Sequence, residues 1–426
     1  MKKIVFLIYL FSATTILAQE KTIKEQALEE FKKEHHSEAI VLMEQALEKE
    51  PNDAEIYYYL GVFNHYRAYD SHPLQGYDFA YSEKIFKYLN KAIELNPDFG
   101  NAKYFYGAEC SANAFVAMQH YDAEKLRFFY QKAYDKGAYP PWLVEFGKNI
   151  MNTCPVDAIL FTAGNADFDI CMYLQQCQEF RKDITVIPLG NIDRIWYVQF
   201  LKNGLKDAVT KINIHLTDNQ IVDIHPFKWR TTTISMPVSK KMKEEYALVS
   251  DFRMNWNIEP DLFSNRKHAK LEGEEAIART YLSPQRAVLL QIVKDNLAER
   301  DICFTNFASP TFYGGLDNYF QDCGLVSKLL PFKTGKTDYQ VDINSYIALL
   351  QPKNVADFST VKTADIQRVG GKYIYYSIFS RLATYYKSIE NNKQLQTLID
   401  FYKKYLSIGY DEQYEKEVLE EAMNTN

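Results

Sequence analysis

Asp167 and Asp169 lie two residues apart in the run AGNADFDIC, and Asp193 lies within the run VIPLGNIDR. Carboxylates grouped in this way can bind a hard cation, or divide into acid and base when their surroundings push their pKa values apart. Asp167 and Asp193 are therefore the catalytic candidates. Asn165, Asp167, Asp169 and Asn191 are ligand-binding candidates, joined from later in the chain by Asn306, Tyr313 and Asp317 within NFASPTFYGGLDNYF. The competing reading is structural. Asp and Asn ahead of a helix cap its first N–H groups, and capping is the preferred reading for the aspartates. Gly164 and the pair Gly314–Gly315 would allow an anion-binding turn at a helix start; neither follows a dinucleotide or Walker pattern, and close chain turning explains them more simply.

Other chemistries find less support. Ser309 lacks a G-x-S-x-G context, and His215, His225 and His268 show no triad spacing. Cys110, Cys154, Cys171, Cys177, Cys303 and Cys323 contain no CxxC pair, and no histidine spacing completes a zinc site. They read as mostly buried free thiols. No metal and no cofactor are expected, and a non-enzyme is favoured over an enzyme.

The elements that must position these residues form an α/β region. DAILFT, from Asp157 to Thr162, reads as a buried strand, followed by the loop AGNADFD and a helix from Ile170 to Phe180. A second strand, DITVIPLG, and the helix NIDRIWYVQFLKNG complete a β-loop-α-β-α unit with parallel pairing. Ligands gather beyond the carboxyl ends of such strands, which groups Asn165, Asp167, Asp169, Asn191 and Asp193. DICFTNF, from Asp301 to Phe307, is a further strand, with a helix leading into GLVSKLLPF. If it joins the same sheet, Asn306, Ser309, Tyr313 and Asp317 approach the first loop. KINIHL and TTTISMPV read as an antiparallel extension, Pro284 to Ala298 as a helix, and Trp196 and Tyr197 as core.

Ahead of this region the sequence repeats itself. ALEKEPNDAEIYYYLG and AIELNPDFGNAKYFYG resemble each other, and small residues, aromatics and prolines recur as tetratricopeptide hairpins require: Ala39, Met43, Ala46 and Pro51; Tyr57, Leu60, Gly61, Leu89, Ala92 and Pro97; Tyr106, Gly107, Tyr130 and Ala133. The insertion RAYDSHPLQGYD serves either as a partner-contacting loop or as padding against the next domain. The 32 tyrosines invite a sugar-stacking role, but many sit at repeat positions, so core packing is preferred. QRVGGKY, with Arg368, Gly370 and Gly371, reads as a turn before two terminal amphipathic helices. The fold class is thus α + α/β, with tetratricopeptide-like hairpins at 21–137, a central α/β domain with a mainly parallel sheet at 138–335, and C-terminal helices at 336–426.

Residues 1–18 carry Lys2 and Lys3, an apolar core from Ile4 to Phe11 and small residues up to Ala18, the layout of a cleavable secretory signal. The apolar run falls short of the ~20 residues a membrane span needs, so the expected product is soluble, exported and periplasmic. Net charge is −6, or −8 once Lys2 and Lys3 are removed, and is spread along the chain. Nucleic acid is therefore not an expected partner.

Two stretches carry a family resemblance: NIMNTCPVDAILFTAGNADFDICMYLQQCQEFRKDITVIPLGNIDRIWYVQFLKNG, and YLSPQRAVLLQIVKDNLAERDICFTNFASPTFYGGLDNYFQDCGLVSKLLPF. Across roughly 147–335 the sequence resembles the soluble C-terminal part of uncharacterised bacterial membrane proteins related to lipid-linked-sugar protein O-mannosyltransferases, which also carry repeat-like helices. The family's loop is usually G-D-N-D-T; here Gly164, Asn165, Ala166, Asp167 and Phe168 stand in its place. The many-span membrane portion to which the resemblance would assign sugar transfer does not accompany these stretches, so transferase activity is not carried over. The resemblance implies an accessory role in envelope glycosylation, with a membrane glycosyltransferase as a candidate partner beside a protein or peptide held by the repeats. The alternative is an enzyme acting on a sugar or phosphosugar in the α/β cleft.

Overall fold

A computed structural model describes residues 21–71, 77–260, 281–306, 310–335, 337–361, 371–407, 409 and 411–424. The signal at 1–18, His268, Ser309, Arg368, Gly370 and residues 72–76 of the insertion lie outside the described residues. The chain divides into two compact units, one ending at Phe105 and one beginning at Tyr106.

The first unit is built from α1 (Ile23–Lys32), α2 (His36–Lys49), α3 (Ala54–Ser71), α4 (Ser82–Leu95) and the start of α5 (Ala102–Gln119). Thr22 and Glu25 form a reciprocal capping box that starts α1, satisfying N–H groups that lack intrahelical partners. On α4 the buried residues Ile85, Tyr88, Leu89 and Ala92 recur at helical spacing and make one apolar stripe. The stripe meets α3 at Gly61, where an added Cβ would lie 2.5 Å from Leu89 Cδ2. Glycine is needed there for close approach of the two helices.

The second unit continues α5 and adds α6 (Ala123–Asp135) and α7 (Pro141–Thr153), then β1 (Ile159–Thr162), α8 (Asn165–Gln178), β2 (Thr185–Pro188), α9 (Ile195–Asn203) and the short α10 (Asp218–Val222). Next come β3 (Phe227–Lys228), β4 (Thr232–Pro237), α11 (Lys240–Glu245), β5 (Arg253–Ile258), β6 (Tyr281–Leu282), α12 (Pro284–Asn296), β7 (Ile302–Thr305), β8 (Phe320–Asp322) and β9 (Val326–Leu329). Helices α13 (Ile343–Leu349), α14 (Gly371–Ser388), α15 (Asn392–Phe401), which runs into a π-helical turn at Tyr402–Leu406, and α16 (Glu412–Met423) end the chain. The main sheet has the order β2-β1-β7-β9-β8. β1 pairs in parallel with β2 and β7, while β9 runs antiparallel to both β7 and β8, so four of the five strands point one way. Every residue of β1, β2 and β7 is buried, as expected for strands covered on both faces. The architecture is α + α/β, with helices at both ends of the chain.

Local structure departs from the sequence reading at three places. The helix expected from Ile170 begins at Asn165, because Asp167 closes its first turn from inside the helix. The expected helix leading into GLVSKLLPF is instead the β8–β9 hairpin. Gly324 takes φ +95, the Asp322 side chain accepts its N–H at 2.8 Å, and Cys323 N donates to Val326 O, a turn that reverses the chain. KINIHL forms no strand; side chains of α12 hold its backbone, Asn296 Oδ1 accepting from Asn213 N and Asp295 Oδ2 from His215 N. TTTISMPV does pair antiparallel, as β4 with β5, in a separate two-stranded sheet.

Candidate functional site

The chain passes from β1 to β2 on one side and later places β7 on the other side of β1. That reversal is where an open sheet leaves a crevice beyond its carboxyl ends. β1 and β7 carry kindred runs, ILFT and ICFT, in register Phe161 to Phe304. Thr162 and Thr305 come next in line, at adjoining strand ends.

Asp167 lies on the first turn of α8, beside this end of the sheet. Its Oδ2 accepts the Ala163 N–H at 2.8 Å and the Thr305 hydroxyl at 2.5 Å, and its Oδ1 accepts the Gly164 N–H at 3.0 Å. The residue is 6% exposed. Burial raises its pKa above the ordinary carboxylate value, while the Thr305 hydroxyl and the two backbone donors pull it back down. Tyr313 joins this group: its hydroxyl donates to Thr305 O at 3.3 Å, and burial together with the Asp167 charge pushes its pKa up to about 12.

Asp169 belongs to different surroundings. Two positions along the helix, it accepts the Ser111 hydroxyl at 2.6 Å and the Tyr130 hydroxyl at 3.4 Å on Oδ1, fully inside the protein. Burial pushes its pKa up to about 8; the two hydroxyl donors oppose that rise, and the neighbouring Asp167 charge adds to it. Asn306 is turned to the β8–β9 hairpin, its Nδ2 donating to Gly324 O and Asp322 Oδ1 and its Oδ1 accepting from Ser327. Asn191 closes the short turn after β2 and accepts the Arg194 N–H through its carbonyl. Asp193 and Asp317 are exposed, and among the described residues no hydrogen bond joins either to Asp167. Asn165 opens α8. The structure thus links Asp167 and Tyr313 through Thr305, while Asp169 and Asn306 hydrogen-bond to other groups.

Two glycines follow β1 and β2. A Cβ built on Gly164 or on Gly190 meets nothing within 4 Å, and neither residue has a positive φ, so no local crowding demands glycine at either place. Thr305 and Ser111 escaped the sequence reading, and Tyr130 entered it only as a repeat position. A polar residue closing each of the two matching runs was the available signal for Thr305; Ser111 and Tyr130 lie 58 and 39 positions from Asp169, with no local mark. Among the described residues no group of three or more His, Cys, Asp or Glu could hold a metal ion.

Residues 143–256 match TMEM260-associated domain 2. The matched segment runs from α7 through β1, α8, β2 and α9 to β5, and so includes the crevice's Asp167 but not its Thr305. The match to TMEM260-associated domain 2 fits a relation to TMEM260 and O-mannosyltransferase-like proteins. No curated protein matches the chain. No described helix is long and apolar enough to cross a membrane.

Proposed function

We propose that this chain is an exported, periplasmic interaction protein of the cell envelope, accessory to protein or envelope glycosylation. In this reading tetratricopeptide-like hairpins within 21–137 hold a protein or peptide, with a membrane glycosyltransferase as the partner of interest. The α/β region at 138–335 serves the accessory role and the helices at 336–426 brace it. The observation that carries the reading is the approach of α3 and α4 at Gly61 and Leu89, the repeat positions reserved for small and large residues, in a chain whose residues 143–256 match TMEM260-associated domain 2. Asp167 supports the non-enzymatic side, since three donors already occupy its carboxylate.

The test is photo-crosslinking in envelope preparations with the crosslinker placed at Tyr66 or Tyr104, both exposed in the first unit. Crosslinks to an envelope glycosyltransferase support the proposal. Only background adducts at both positions, together with recovery of the chain from the cytosolic fraction, overturn it.

A second reading, an enzyme for a sugar or phosphosugar with Asp167 and Asp193 as candidates, is favoured by one observation: the open space at Gly164 and Gly190. It requires that Asp167→Asn abolish a ligand-dependent property while the protein stays folded.

A further inference from the structure

At the far end of α8 from Asp167, roughly 16 Å along the helix at about 1.5 Å per residue, Gln178 borders a cavity of about 430 Å³. Its other walls include Tyr134, Glu145, Lys148, Asn152, Lys353 and Asp357. Two polar devices, one half-buried and one buried, fix its shape. Glu145 accepts the N–H groups of Asp357 and Phe358 at 3.1 and 3.2 Å, one on each carboxylate oxygen. Asn149 Nδ2 donates to Asn354 O at 2.5 Å and to the Tyr375 hydroxyl at 2.8 Å. Walls held in this way need little ordering when a ligand enters.

The lining combines an aromatic face with unengaged polar groups. The Tyr134 ring stacks on Tyr173, centroids 4.8 Å apart and planes 15° from parallel, yet stays 41% exposed. The side chains of Lys148, Asn152, Lys353 and Asp357 make no hydrogen bond or ion pair with any described residue. The lining holds two ammonium groups and two carboxylates, so its formal charges cancel. Donors and acceptors therefore stand beside a ring without a net charge, in a volume near the lower end of the ~300–1,000 Å³ usual for small-molecule sites.

We propose that this cavity binds a neutral carbohydrate of one or two hexose units. A sugar presents alternating hydroxyl donors and acceptors together with an apolar C–H face, matching the amide, ammonium and carboxylate groups and the tyrosine ring respectively. A phosphorylated ligand would meet Asp357 and Glu145 as well as Lys148 and Lys353 and so gain no net attraction, and an apolar one would leave the four polar side chains desolvated without partners. The site is distinct from the Asp167 crevice and stands whether or not the chain has a repeat-bound partner.

Saturation-transfer NMR on the full chain tests it, with a panel of neutral hexoses, N-acetylhexosamines and their disaccharides, and with a hexose phosphate and a uronic acid as charged arms. At least one neutral sugar is expected to bind. Tyr134→Ala and Asn152→Ala should each weaken it about tenfold, equivalent to roughly 1.4 kcal/mol, whereas Tyr134→Phe and the remote Lys240→Ala should leave it unchanged. Thermal melts of each variant verify folding, and Asn152, on an exposed position, keeps the test informative if Tyr134→Ala misfolds. The proposal is overturned if no neutral sugar binds at about 10 mM, a concentration well above the millimolar limit of weak sites. Binding of the charged arms alone, or sugar binding indifferent to both alanine variants, overturns it equally.

Discussion

The Thr305 hydroxyl donates to Asp167 Oδ2 at 2.5 Å, joining the end of β7 to the first turn of the helix that follows β1. The crevice expected to receive a ligand is therefore laced by the protein's own carboxylate, which simultaneously holds the Ala163 and Gly164 N–H groups.

Replacing Asp167 by Ala strands the buried Thr305 hydroxyl and the part-buried Ala163 and Gly164 N–H groups. Unsatisfied buried groups cost about 1–3 kcal/mol each at most, partly relieved by relaxation, so a total loss of about 2–4 kcal/mol is expected in urea unfolding. Thr305→Val removes only one donor to the carboxylate and should cost about 1–2 kcal/mol. A loss below about 0.5 kcal/mol for Asp167→Ala, the usual size of a surface change, would show that the clasp does not stabilise the fold.

Asp169 makes stability depend on pH in the direction opposite to that of an ordinary ion-paired aspartate. Its pKa rises on folding from 3.8 to about 8, chiefly through burial. Below the unfolded value both states hold the proton. Between the two values the unfolded chain releases it and the folded chain keeps it, so stability falls as pH rises from about 4 to about 8. The full penalty is of the order of several kcal/mol, at about 1.4 kcal/mol per pKa unit. Asp169→Asn retains an acceptor for Ser111 and Tyr130 and removes the titration. Its stability relative to the parent should improve steadily over that window; parallel pH profiles would refute the assignment.

Gly61→Ala drives a methyl into Leu89. Overpacking of this kind costs typically about 1–3 kcal/mol, seen as a lowered melting midpoint. Leu89→Ala made in the same chain should recover part of the loss, because the two sites share one contact.

Gly164→Ala is the reverse case, with open space and a backbone that any residue adopts. Stability should change by less than about 1 kcal/mol, as for glycine sites of compatible backbone. Any ligand of the crevice should bind more weakly to the alanine variant, a comparison made by calorimetry between the two proteins.

The buried strands were readable because ILFT, TVIP and ICFT are short apolar runs bounded by polar residues. The paired helices were readable because the stripe of α4 repeats at 3.6 residues. The β8–β9 hairpin was not: its strands are three and four residues long, too short to show a period, and its decisive feature is the positive φ of Gly324. The fate of the candidate site residues was equally hidden. Asp167 and Asp169 look alike in sequence, but on a helix a two-residue step turns them to different sides, one toward Thr305 and one toward Ser111. Strand order decided the rest, since Asn306 is drawn to a hairpin that the sequence did not announce.

Asn149 offers a last consequence. Among the described residues its amide, buried on α7, finds its acceptors at Asn354 and Tyr375, 205 and 226 positions further along the chain. While the ribosome is still adding those residues, α7 and the strands after it have no such partners. Synthesis of this protein therefore includes an interval in which its middle is made but not yet closed. Its handling by holding chaperones should depend on the arrival of the last helices, however quickly β1 and β2 find each other.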